Sequence, residues 1–329
     1  MEIAKALILA GDMSDDRSWP AVAGSRHLFP VANRPILFHN LEALRSAGIL
    51  EATILSEPDA ATAIERAVGD GREWGLTVRH HAWRGSDGLL GALAAGREFL
   101  DGEPVLVEHG DALLRDRMHV HISAFARENL DALALRLTQG GGGTTGPLTP
   151  GYLLSPRAVS ILLDDGVTDA APVARLRAGG GRVRIQAVDG CLPCHGDVQS
   201  LLESNRRVLE GLKPSVDPAS LEESTVHGAV HIHPTARVRG SLLRGPVIVG
   251  PGAKVTDAYI GPYTSVGAGV AVEGSEIEHS IVLPDAEIRF VGKRLESSVI
   301  GRGARIVRGY DLPAAMRVSL GDGAEVVLR

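Results

Sequence analysis

The chain has 329 residues, with 34 Lys and Arg against 40 Asp and Glu and a formal net charge of −6. That balance leaves no basic footprint for nucleic acid. Hydrophobic residues make up 44% and charged residues 22%, the proportions of a folded protein with room for two domains. No apolar run approaches the roughly 20 residues that span a bilayer. The N-terminus enters a strand with no basic leader before it, so a cytoplasmic protein without membrane contact is expected.

The first predicted element is a strand over Ala4–Leu9, running into Gly11 and a turn. Such a strand-to-glycine turn is where α/β proteins hold phosphates, on backbone N–H groups. Here the turn carries Asp12, Asp15 and Asp16 with no cation among them, so a triphosphate would meet repulsion. Ile36–Ala47 has helical spacing and ends at Gly48. A strand over Glu51–Leu55, a helix over Ala60–Val68 and a strand over Leu76–His80 follow. Leu89–Leu100 reads as a helix, and Val105–Val107 as a buried strand leading into Gly110-Asp111. His121–Glu128 reads as a helix and Leu133–Leu137 as a strand. Gly140–Gly143 form a connector. The alternation then resumes with a strand over Gly151–Leu154, helices over Pro156–Leu163 and Ala171–Ala178, a strand over Val183–Val188 and a helix over Val198–Leu212. This is the pattern of a mostly parallel sheet.

From about residue 225 the period changes. Ile232 and Val238, Val249 and Val255, Ile260 and Val266, Val282 and Ile288, and Ile300 and Ile306 each repeat an aliphatic residue after six positions. A small residue stands two before the second of each pair. This hexapeptide signature predicts a parallel β-helix with aliphatic residues stacked inward.

Minor groupings carry less chemistry. Cys191 and Cys194 precede His195. The C-x-x-C-H string fits neither a redox fold nor an exported haem protein, and zinc would lack ligands, so reduced thiols at a strand end are expected. His80-His81 and the His119/His121 pair are spaced like metal ligands, but the latter is read on alternating strand or loop positions in solvent. His231, His233 and His279 raise an acyltransferase reading, although they are expected to face solvent.

Several segments together resemble the sugar-1-phosphate nucleotidylyltransferases, in particular the long glucose-1-phosphate thymidylyltransferase branch. They are Leu7–Gly11, Phe29-Pro-Val-Ala-Asn-Arg-Pro-Ile-Leu37, Leu41–Ile49, Gly110-Asp111 and Leu201–Glu210, followed by the hexapeptide region. The resemblance implies a Rossmann-like α/β nucleotidyltransferase domain with a mostly parallel sheet over residues 1–215. A left-handed parallel β-helix over 216–329 would follow. It also implies in-line attack of a sugar phosphate on a nucleoside triphosphate with Mg²⁺, and assembly as a homo-oligomer or as a hetero-oligomer with an active homologue.

Carried over residue by residue, the family's glycine loop begins at Gly11. Its second glycine falls on Asp12, its third on Ser14, its threonine on Asp15 and its arginine on Asp16. The family's lysine falls on Arg26, its base-reading glutamine on His27 and a second glutamine on Trp83, just before the matching Asp87-Gly88. Asp111 matches the first metal aspartate. The second falls on Cys194, with Asp197 nearby as a substitute. The stretch carrying the sugar-phosphate lysine is deleted between Gln139 and Gly151, and of the sugar-ring segment only Gly166–Asp169 is left. The departures imply a catalytically impaired paralogue acting as a non-catalytic partner or ligand sensor for a nucleotide or nucleotide sugar. The alternative is an active nucleotidylyltransferase with altered substrates.

Overall fold

The computed structural model describes residues 3–11, 25–138, 149–164, 171–193 and 198–308. Seven strands form the main sheet: β1 (Lys5–Ala10), β2 (Glu51–Ser56), β3 (Thr77–Ala82), β4 (Val105–His109), β5 (Ala132–Leu137), β6 (Gly151–Leu154) and β7 (Val183–Val188). Their spatial order is β7-β5-β6-β4-β1-β2-β3. Strand β1 runs parallel to β2 and β4, β2 to β3, and β7 to β5, whereas β6 is antiparallel to both its neighbours. Strand β1 is apolar at every position from Ala6 to Ala10 because both its faces are covered. Ala6, Ile8 and Ala10 join one hydrophobic cluster, and Leu7 and Leu9 join the cluster on the opposite face.

Helices pack on both faces. They are α1 (Ile36–Ser46), α2 (Pro58–Val68), α3 (Gly88–Ala95), α4 (Met118–Arg127), α5 (Pro156–Leu163), α6 (Pro172–Ala178) and α7 (Val198–Glu210). Helix α5 starts where the Ser155 hydroxyl accepts from Ala158 N at 3.1 Å, with Pro156 at its first position. Two expectations need correction. The helix read over Leu89–Leu100 breaks at Gly96 into α3 and a single turn, Arg97–Leu100. A Cβ at Gly96 would lie 2.8 Å from Leu7 Cδ2, so close approach of this segment to β1 requires the glycine. The His119/His121 pair does not lie on a strand or loop. Both residues sit on α4, where His119 is exposed and His121 is buried at 6% exposure. Burial holds the His121 imidazole below its usual pKa, and its Nε2 stands 3.8 Å from Asp116. None of the described helices is long and apolar enough to cross a membrane.

From Leu221 to Val307 the chain winds as a left-handed parallel β-helix with three parallel sheets. Val230 pairs with Val247, and Val247 with Thr264, one coil apart. Both aliphatic members of the first four hexapeptide pairs are buried, as are the small residues Ala236, Ala253, Thr264 and Ala286 between them. Only a small side chain fits the inward corner of so narrow a coil.

The two parts meet over a buried cluster. Phe29, Val31 and Ile36 come from the segment leading into α1, Leu201 and Leu202 from α7, and Ile281 and Leu283 from the β-helix. The resemblance-bearing helix α7 therefore has a packing role: its apolar stripe joins the halves.

Candidate functional site

The parallel strands β1, β2 and β4 end side by side, which puts their C-terminal ends at the usual ligand crevice of an open α/β sheet. Gly11 follows β1. Gly110 N donates to Leu9 O at 2.8 Å, tying the Gly110-Asp111 turn to the same edge. Trp83 N donates to Ser56 O at 2.8 Å, and Glu57 Oε1 accepts from Gly85 N at 2.6 Å. The segment after β3 is thereby folded back over β1.

Trp83 is 4% exposed and lies against Gly11. A Cβ on Gly11 would come within 2.6 Å of Trp83 Cζ3 and 3.1 Å of Gly85 Cα. The glycine is thus needed for the indole to reach this position. The Trp83 indole N–H has no hydrogen-bond partner among the described residues. Gly88, at φ +60°, turns the chain into α3.

Arg26 and His27 occupy a single 3₁₀ turn, Arg26–Leu28, where the Ser25 hydroxyl accepts from His27 N at 3.3 Å. His27 is 4% exposed, and its Cδ2 lies 3.1 Å from the point a Cβ on Gly110 would occupy. Absence of that Cβ lets His27 pack beside the Asp111 turn. Arg26 is half-buried. Gly11 with Trp83, and His27 with Gly110-Asp111, are therefore two pairs brought together at one sheet edge.

Asp111 is fully buried. Just after it, Leu113–Leu114 pairs antiparallel with Gly190–Cys191. The pairing puts the Cys191 thiol near Asp111. Burial pushes this thiol up to about 11, the Asp111 charge adding to the effect, and Cys191 Sγ lies 3.3 Å from Ser204 Oγ. Glu108, on β4, is buried at 3% exposure. Desolvation, with a smaller contribution from Asp111, raises its carboxyl to about 8, while a hydrogen bond with Asn40 pulls the other way. Glu108 and Asn40 were not among the sequence-derived site residues. Their signal was a carboxylate in an otherwise aliphatic strand and an amide on the buried face of α1.

Asp12, Ser14, Asp15, Asp16, Cys194 and Asp197 lie outside the described residues, as do Gly140–Gly143 and Gly166–Asp169. Mg²⁺ prefers ionised oxygen ligands and keeps part of its water shell. The described residues bring one enclosed aspartate, a neutral Glu108 and a protonated thiol to this edge. No group of three His, Cys, Asp or Glu among the described residues could hold a metal. These described residues do not by themselves complete a Mg²⁺ site.

Comparison with known proteins agrees with the architecture. The nucleotidyl transferase family matches residues 5–139. Glucose-1-phosphate thymidylyltransferase of Streptomyces griseus is 33% identical over 350 residues, covering 97% of this chain and 98% of that protein. The low-salt glycan biosynthesis nucleotidyltransferase Agl11 of Haloferax volcanii is 25% identical over 98% of this chain and 100% of that protein. A Bacillus anthracis crystal structure named for glucose-1-phosphate thymidylyltransferase, in complex with sucrose, superposes with a TM-score of 0.52 at 18% identity. It covers 64% of this chain and 97% of its own and bears on the fold alone. With a relative 33% identical over nearly the full length of both chains, the chain belongs to the sugar-1-phosphate nucleotidylyltransferase family.

Proposed function

We propose that this chain is a nucleotidyltransferase-family protein whose transfer chemistry is impaired and which acts as a non-catalytic partner or ligand sensor for a nucleotide or nucleotide sugar. The observation that carries the reading is Trp83, buried against Gly11 at the end of β1. A bulky indole there takes space beside the strand-end glycine, where nucleotide phosphates and base would have to approach. The acidic run Asp12, Asp15, Asp16 adds repulsion; by the resemblance the family's triphosphate arginine falls on Asp16, and its sugar-phosphate lysine falls in the deleted stretch before Gly151. Losing one transition-state cation alone costs on the order of 10³–10⁵ in rate. In the same reading the domains divide between residues 215 and 216. The protein works as a homo-oligomer or beside an active homologue, and any bound Mg²⁺ arrives with the nucleotide.

A second reading, an active enzyme with altered substrates, draws on Asp111 standing with His27 at the end of β4. The experiment that separates the two is pyrophosphate release across the four NTPs and dTTP, each with a panel of sugar-1-phosphates and Mg²⁺. Enzyme-like turnover abolished by Asp111→Asn would overturn the first reading; no turnover, with nucleotide binding measured by calorimetry, would support it.

A further inference from the structure

Two candidate site residues, Arg26 and His27, lead into a small hairpin in which Pro30–Val31 pairs with Arg34–Pro35. Its turn residues Ala32 and Asn33 have φ of 48° and 63°. Two successive positive φ values suit Gly and Asn; at alanine they are strained. Strain of this kind persists where the surroundings over-determine it.

The restraints come from outside the hairpin. Asn205 of α7 is fully buried. Its Oδ1 accepts from Ala32 N at 2.9 Å and from the Ser265 hydroxyl at 2.6 Å, and its Nδ2 donates to Tyr263 O at 3.0 Å. Asn33 Nδ2 donates to Val266 O at 2.7 Å. The hairpin is thus fastened to one β-helix coil both directly and through Asn205. At its base Ile36 N donates to Phe29 O at 3.0 Å, and two residues before Phe29 is His27, packed on Gly110.

We propose that Asn205 is a positioning residue. Through it and Asn33, the β-helix coil at 263–266 holds the Ala32–Asn33 turn in its strained form. The coil thereby sets where Arg26 and His27 stand relative to Gly110-Asp111. Undocking the β-helix would release the turn and disorder that side of the crevice. The functional meaning rests on the crevice being the ligand site, but the hold on the turn requires no ligand.

The test is hydrogen exchange on the full chain without nucleotide, comparing Asn205→Ala with Ser204→Ala. Ser204 is equally buried, but its hydroxyl donates within α7, to Ser200 O, and touches Cys191. In Asn205→Ala, amides in residues 31–36 should exchange about ten- to a hundredfold faster while those of β1 stay unchanged. The His27 imidazole NMR resonances should also move. Adding Ala32→Gly should restore much of the protection, because glycine takes a positive φ without strain. Ser204→Ala should leave residues 31–36 alone. Equal acceleration in β1, unchanged exchange in 31–36, or no recovery with Ala32→Gly would each overturn the proposal. If Asn205→Ala does not fold, Asn33→Gly removes the bond to Val266 O without adding strain at φ 63°, and unchanged exchange in 31–36 again overturns the proposal. Calorimetry with nucleotides is read separately: no binding in any variant counts against the ligand reading, while exchange alone judges the positioning.

Discussion

Glu108→Gln should change how stability depends on pH, in a direction set by the burial of this carboxyl. The Glu108 carboxyl is raised from 4.5 to about 8, chiefly by burial. Between those values the unfolded chain has released this proton and the native state still holds it. With more protons bound in the native state, stability falls as pH rises. The contribution is complete below pH 4.5 and is lost as pH rises through about 8. Each unit is worth about 1.4 kcal/mol, so wild type should lose about 3 kcal/mol relative to Glu108→Gln between pH ~5 and pH ~7.5. Glutamine keeps the shape and the hydrogen bond with Asn40 but does not titrate. The half-buried His39 and the buried His121 are both held below the ordinary histidine value by desolvation and give an opposite slope on the acid side. That slope is common to both proteins and cancels in the difference. The assay is urea unfolding at half-unit pH steps. Asp111→Asn, by removing a nearby negative charge, should move the wild-type midpoint downward. Parallel stability profiles for wild type and Glu108→Gln would mean that Glu108 does not hold its proton in the native state over this range.

Trp83→Gln should cost about 2–4 kcal/mol of stability as a large buried side chain is cut back, yet raise nucleotide affinity at least tenfold by calorimetry. Unchanged affinity would mean that the indole does not obstruct the crevice. Gly96→Ala should destabilise by about 1–3 kcal/mol in thermal melts, because its new methyl group meets Leu7; an unchanged melting temperature would contradict the close approach of the α3 end to β1. Cys191 should resist iodoacetamide at pH ~8 in the folded protein, its thiol being buried and raised to about 11, and should react once the chain is unfolded. Peptide mapping by mass spectrometry reads both states.

The repetitive parts of this fold were legible because their physics is local. Strands buried on both faces are continuous aliphatic runs, and the β-helix repeats its inward residues every six positions, with Ala236, Ala253 and Ala286 in the tight corner. The need for a glycine at 96 was not legible, since the side chain that crowds the position, Leu7, is far away in sequence. His121 was read as solvent-facing because a histidine on a buried helical face counts as polar in any periodicity. With Met118 and Phe125 it forms the inner stripe of α4. The crevice was half legible. The family motifs located Gly11, His27, Trp83 and Asp111, but Glu108, Asn40 and Cys191 reach the same neighbourhood only through strand pairing and packing. Asn205 stood inside a recognised motif, and its three long-range hydrogen bonds become visible only when α7 is docked on the β-helix.

Pyrophosphate release from the full chain with Mg²⁺, saturating nucleoside triphosphate and the sugar-1-phosphate panel decides whether transfer chemistry is impaired. An impaired family member should turn over at least 10³-fold below the roughly 1–10³ s⁻¹ typical of enzymes for every pair. Turnover within that range for any pair, abolished by Asp111→Asn, would contradict impairment.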